Sequence, residues 1–145
     1  MKGFNRNFIK HITAASLVSV ACFVSADSHA DLWIIANAEA KVDDLSRSEV
    51  RQIFMGGTLS RKFTAIALPA GSDVRNQFNV DIIGLTESRI QAYWSQLLFT
   101  GRSTPPMEMA SVNDAVRHVS EHDNTIAYVP EQTQLPDNVV VVYER

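Results

Sequence analysis

Ser72 and Arg75 stand three residues apart at the start of a short helical pattern, and they are this chain's best-equipped pair for holding a small anion. They lie in Ala67-Leu68-Pro69-Ala70-Gly71-Ser72-Asp73-Val74-Arg75-Asn76-Gln77-Phe78. Phe63 to Leu68 reads as an apolar strand, and Pro69 and Gly71 turn the chain sharply. Ser72 then occupies an N-cap position, with Val74 and Phe78 four residues apart on one helical face. A strand that turns through glycine into a capped helix start aims unpaired backbone N–H groups at one point, and the positive end of the helix dipole reinforces them. Gly71, Ser72, Asp73 and Val74 supply that backbone, and Arg75 adds a forked, permanently charged donor. The plainer reading is a serine cap on an ordinary helix. Asp73 favours it, because its carboxylate can serve the dipole and would repel an anion.

Other chemistry is thinner. His118 and His122 have the i, i+4 spacing of a metal pair, with Glu121 and Asp123 nearby. No third ligand is evident by spacing, so they read as surface histidines favoured by the helix's negative end. Ser72 as a nucleophile needs a histidine base, and nothing like Gly-x-Ser-x-Gly surrounds it. Asp43-Asp44 reads as a solvated loop pair. Tyr93 and Trp94 are adjacent and cannot both face a core directly, which leaves Tyr93 as a candidate partner contact. The expectation is a protein that is not an enzyme and carries no metal and no cofactor.

The elements that must position these residues follow from periodicity and punctuation. Leu32 to Ala36 is a buried strand leaving at Asn37. Ser46 and Glu49 form a capping box, with Leu45 and Val50 at staple spacing, and Val50, Ile53 and Phe54 stripe a helix stopped by Gly56-Gly57. A short helix runs over about Asp73 to Val80. Thr86 caps a longer one to Phe99, stapled by Leu85 and Ile90 and with Ile90, Trp94, Leu97 and Leu98 facing inward, and Arg102 to Met109 is a loop stiffened by Pro105-Pro106. Ser111 with Asp114 starts a helix to about Glu121. Thr125 to Val129 and the valine-rich Asn138 to Tyr143 are strands. Strands separated by helices imply an α/β fold, a mixed, mostly parallel sheet of about four or five strands flanked by helices. Ligands gather beyond the carboxyl ends of such strands. Asn37, the Gly71-Ser72 turn and the residues after Val129 are therefore expected along one edge.

The chain's address is written at its start. Lys2, Arg6, Lys10 and His11 form a basic head before the apolar run Ile12 to Val24. Ser28-His29-Ala30 then reads as the cleavage point of a secretory signal peptide over residues 1–30, with Ala26 the second candidate. That run is shorter than the roughly 20 residues that span a bilayer. Cys22 is the single cysteine; Ser19-Val20-Ala21 before it and apolar residues after it speak against a lipid anchor. Residues 31–145 make one domain by size, with no disulfide or thiolate site available. The net charge of −3 for 145 residues and the lack of a basic run disfavour nucleic acid as a partner.

In this order the chain resembles one lobe of a type II periplasmic binding protein, specifically a short relative of the phosphate-binding components of ABC transporters. Four pieces carry the resemblance. They are Leu45-Ser46-Arg47-Ser48-Glu49-Val50-Arg51-Gln52-Ile53-Phe54-Met55-Gly56, and Gly71-Ser72-x-x-Arg75-x-x-Phe78. To these are added Tyr93 to Arg102 with Pro105-Pro106, and Ile126-Ala127-Tyr128-Val129. The resemblance implies anion binding through Ser72 and the backbone of its turn. Leu68 and Ala70 stand where the phosphate binders carry an arginine and an aspartate, and Asp73-Val74 replaces a Gly-Thr. Two functions follow as expectations. One is a periplasmic solute-binding lobe for phosphate or a similar oxyanion, held by Gly71, Ser72, Asp73, Val74, Arg75 and Asn37, and serving an ABC permease. The other is a periplasmic interaction or sensory module that keeps the fold without the ligand. Homodimerisation would reconcile them by building a cleft from two lobes.

Overall fold

The computed structural model describes residues 31–145. The expected signal peptide at residues 1–30 lies outside the described residues. Strand β1 (Leu32–Asn37) leads to helix α1 (Arg47–Phe54), β2 (Thr64–Ala67) and α2 (Asp73–Phe78), which runs on as a π-helical turn, Asn79–Ile83. Then come α3 (Glu87–Phe99), β3 (Met107–Glu108), α4 (Val112–Glu121), β4 (Thr125–Pro130) and β5 (Val139–Glu144). Among the described residues, no helix is long and apolar enough to cross a membrane.

Local chemistry explains most of the boundaries. The Ser46 hydroxyl accepts from the Glu49 N–H at 3.3 Å, and the Ser46 N–H donates to Glu49 Oε2 at 2.8 Å, so the capping box closes both ways. The backbone bond from Ser46 and then the Ser46 hydroxyl hold the Glu49 carboxyl below its ordinary value. Ser111 accepts from the Asp114 N–H at 3.1 Å and starts α4 in the same manner. Thr86 occupies the cap position of α3, but its side chain makes no cap bond; its hydroxyl pairs with Ser88 at 3.2 Å.

The five strands form one mixed sheet in the order β3-β2-β4-β1-β5, the expected α/β lobe. The balance of directions differs from expectation, since β2 pairs in parallel with β3 and β4 whereas β1 pairs antiparallel with β4 and β5. The reason is that intervening helices fix the direction only of strands they join side by side. β1 has no such crossover to either neighbour and enters the sheet reversed.

Burial along β4 is continuous from Thr125 to Val129, the pattern of a strand covered on both faces. The Tyr128 ring stacks on Phe78 of α2 at 3.9 Å, and Phe54 of α1 lies 4.8 Å from Phe78. These aromatics lock α1 and α2 onto the sheet, while α4 packs against β1, β4 and β5. The two-residue β3 falls inside the expected Arg102 to Met109 loop. It is a separate strand because Met107 and Glu108 align with Ile66 and Ala67, which carries Glu108 to the end of β2.

The reversal of β1 corrects one site assignment. Ala36 lies opposite Ile126, near the start of β4, so Asn37 leaves the sheet at the end opposite the Gly71-Ser72 turn. There its amide donates to the carbonyls of Val119 at 3.0 Å and Ser120 at 3.2 Å, and its Oδ1 accepts from the Glu39 N–H at 3.0 Å. Asn37 is buried and caps the last turn of α4. Asn37→Ala leaves those carbonyls short of donors and should lower unfolding stability by about 1–3 kcal/mol, measured by urea denaturation.

Candidate functional site

β2 passes through Leu68 into the turn Pro69-Ala70-Gly71-Ser72, closed by the Ser72 N–H donating to the Pro69 carbonyl at 3.1 Å. Gly71 has φ +84, the conformation that a type II turn demands at its third residue and that glycine adopts without strain. Ser72 is the N-cap of α2, its hydroxyl accepting from the Arg75 N–H at 3.4 Å. The amides of Asp73 and Val74 belong to the first helical turn, which has no intrahelical acceptors for them. Gly71, Ser72, Asp73 and Val74 thus form one continuous turn and helix start.

Arg75 points elsewhere. Its Nε donates to Glu87 Oε2 at 3.0 Å and its Nη2 to Glu87 Oε1 at 2.6 Å, a two-pronged pair with the first residue of α3. Its Nη1 donates to the Leu68 carbonyl at 2.8 Å and to Glu108 Oε2 at 2.8 Å. Four of the five guanidinium protons are thereby directed at fixed acceptors. The side chain is only 10% exposed. Burial opposes its charge, but Glu87 and then Glu108 outweigh it and raise the guanidinium above its ordinary value.

Glu87 is saturated in turn, accepting from Gln91 Nε2 at 2.7 Å and Asn79 Nδ2 at 2.6 Å besides Arg75. Burial pushes its carboxyl up, yet the bonds from Gln91, Arg75 and Asn79 prevail and hold it below the ordinary value of 4.5. On the other side of the strand end, the Leu68 N–H donates to the Tyr128 hydroxyl at 2.9 Å. Burial pushes that phenol up to about 12, so it is neutral at physiological pH. Leu68 is therefore held at both its N–H and its carbonyl.

The electrostatic consequence is direct. The Arg75 guanidinium, in the first turn after the cap, is matched by Glu87 and Glu108, and Asp73 adds a third carboxylate at the start of α2. An open depression of about 320 Å³ lies beside this network, lined by Arg75, Phe78, Asn79, Trp94, Leu98 and Glu108 among others, and it does not reach Gly71 or Ser72. The arrangement offers backbone and hydroxyl donors at the turn, while the Arg75 guanidinium is directed at Glu87, Glu108 and the Leu68 carbonyl.

The remaining candidates are dispersed. Tyr93, half-exposed, donates its hydroxyl to the Met55 carbonyl at 2.7 Å and so ties α3 to the end of α1. Asp43 and Asp44 are exposed in the loop before α1. His118 and His122 lie at the end of α4, across the sheet from Ser72. Glu87, Asn79, Gln91, Glu108 and Tyr128 were invisible as a set in the sequence. Only Glu87, an acid in the first turn after Thr86, carried a local signal, and that signal named the helix dipole.

The fold, a mixed five-stranded sheet flanked by helices, is that of one part of two larger receptors of known structure. One is the crystal structure of an ABC-type phosphate transport receptor from Vibrio cholerae, similar over 79% of this chain and 47% of that one, with 17% identity and a TM-score of 0.58. The other is a putative phosphate ABC transporter substrate-binding protein with bound phosphate from Clostridium perfringens, similar over 78% of this chain and 45% of that one, with 16% identity and a TM-score of 0.59. The chain thus spans about half the length of the receptors it resembles. No protein-family model matches the sequence, and comparison with curated proteins finds no relative.

The Glu87 bonds give stability a pH dependence of known sign. A carboxyl held below its ordinary value stabilises the fold above about pH 4.5 and loses that contribution as pH falls through its lowered value. Glu87→Gln should therefore melt below the parent at pH 7. The two melting temperatures should converge as the pH is taken well under 4.5, followed by circular dichroism.

Proposed function

We propose that this chain is an exported lobe of the phosphate-receptor fold that works as a periplasmic interaction or sensory module, contacting a protein instead of enclosing a solute. The observation that carries the reading is the inward pairing of Arg75 with Glu87 and Glu108. An oxyanion at the Gly71-Ser72 turn would meet donors in open water, where charge-assisted contacts lose most of their advantage, and would face Asp73 and Glu108. The end of α3 supports a protein partner, since Leu98 is half-exposed and Phe99 is 93% exposed. An ABC permease or a periplasmic sensor is the kind of partner this reading admits. It assigns no catalysis and no nucleic acid.

A second reading rests on the turn itself. Gly71, Ser72, Asp73 and Val74 keep the N-cap geometry of an anion site, and one of the similar structures has bound phosphate. In that reading the lobe binds a phosphate-like oxyanion weakly and serves an ABC permease, and two copies complete the cleft.

Titration calorimetry and thermal shift with inorganic phosphate and sulfate separate the two. The interaction reading expects no heat and no shift at millimolar anion, with Ser72→Ala indistinguishable from the parent. A saturable phosphate signal that Ser72→Ala abolishes would overturn it and establish the second reading. Light scattering with phosphate present then reports whether two copies are needed.

A further inference from the structure

The opposite end of the sheet carries a feature that neither reading uses. His118 and His122 close the last turn of α4 with their rings stacked, centroids 4.0 Å apart and planes 19° from parallel. His122 Nδ1 lies 2.9 Å from the His118 carbonyl. A carbonyl can only accept, so Nδ1 carries the proton and the neutral ring keeps its lone pair on Nε2. This is the arrangement found at metal-bound histidines, whose other nitrogen donates to a backbone carbonyl or carboxylate.

The turn that presents the rings is fixed from several directions. Asn37 donates to the Val119 and Ser120 carbonyls, Asn138 Nδ2 to the Ser120 carbonyl at 2.8 Å, and the Thr125 hydroxyl to the His122 carbonyl at 2.7 Å. The backbone under both histidines is therefore held before any ligand arrives, which lowers the cost of ordering a site. The surroundings favour a cation. Both rings border an open depression whose rim includes Glu121 and Asp123, and the end of α4 is the negative pole of its dipole.

We propose that His118 and His122 form a two-point site for a divalent transition-metal ion, copper(II) ahead of nickel(II) or zinc(II), with water filling the other positions. Imidazole suits these ions, and their order of affinity at nitrogen sites places copper(II) first. Neighbouring ligands at metal–nitrogen bonds of about 2.0–2.1 Å stand about 3 Å apart. Rings stacked nearly parallel aim their lone pairs side by side, so the exposed His122 ring must rotate about its side-chain bonds for both nitrogens to meet one ion. Among the described residues no three His, Cys, Asp or Glu side chains converge, so the site is open and exchangeable, unlike the closed four-ligand cage of a structural zinc. It lies away from the Gly71-Ser72 turn and stands whichever reading of that turn holds.

The test titrates CuCl2, NiCl2 and ZnCl2 into the whole chain by calorimetry, with His11 and His29 kept in every variant. A copper-binding step of one ion per chain, weakened tenfold or more in His118→Gln and in His122→Asn, supports the site. Line broadening by copper(II) in the amide spectrum of the unaltered chain locates the ion even if a variant folds poorly. Broadening centred on Val119 to Asn124 supports the assignment. Copper affinity unchanged within twofold in the double variant, no binding at all, or broadening centred elsewhere would overturn it.

Discussion

A guanidinium gives up water only where fixed acceptors replace it, because an unmatched buried charge costs several kcal/mol. At Arg75 the acceptors come from three separate places: the Leu68 carbonyl at the end of β2, Glu87 at the start of α3 and Glu108 on β3. One side chain thereby sets the distance between the strand end, the next helix and the edge strand. The short β3 owes its place to this as much as to its backbone pairing. The π-helical turn after α2 has a related role, since it carries Asn79 to within 2.6 Å of the carboxylate that Arg75 grips. Were Arg75 turned toward the Gly71-Ser72 bend, Glu87 would lose two of its four donors and the Leu68 carbonyl its side-chain donor.

The two ends of the sheet have different characters. At the end reached by β2, Glu87 and Glu108 hold Arg75, and Asp73 stands at the start of the helix that follows the turn. At the other end, buried amides from Asn37 and Asn138 satisfy the last carbonyls of α4 and leave a histidine pair at the surface. The same residue types therefore serve opposite purposes according to strand direction. Asn37 illustrates this: its chemistry suits anion contact, but a reversed β1 delivers it to a helix C-terminus.

Local signals were legible and long-range pairings were not. Ser46 with Glu49, Ser111 with Asp114, the Gly71 bend and the Ser72 cap each depend on residues within four positions, and all form as the spacing implied. Trp94 and Ile90 are buried on α3 as their periodicity required and Leu97 is partly buried, but Leu98 of the same expected inward stripe is half-exposed. The direction of β1, the existence of β3 and the carboxylate partners of Arg75 depend on residues from 12 positions apart (Arg75 with Glu87) to 111 (Trp33 with Glu144). Periodicity carries no information at that range. The ordered resemblance over residues 32–129 supplied the lobe architecture, yet it could not reveal that Glu87 and Glu108 enclose the arginine of the shared Gly-Ser-x-x-Arg pattern.

The central claim is that Arg75 is spent inside the fold. A double-mutant cycle over Arg75→Met and Glu87→Gln, with unfolding free energies from urea denaturation at pH 7, measures it directly. A favourable coupling of about 0.5–3 kcal/mol is the predicted result. Additive losses, with no coupling between the two positions, would contradict the account and return the guanidinium to the turn.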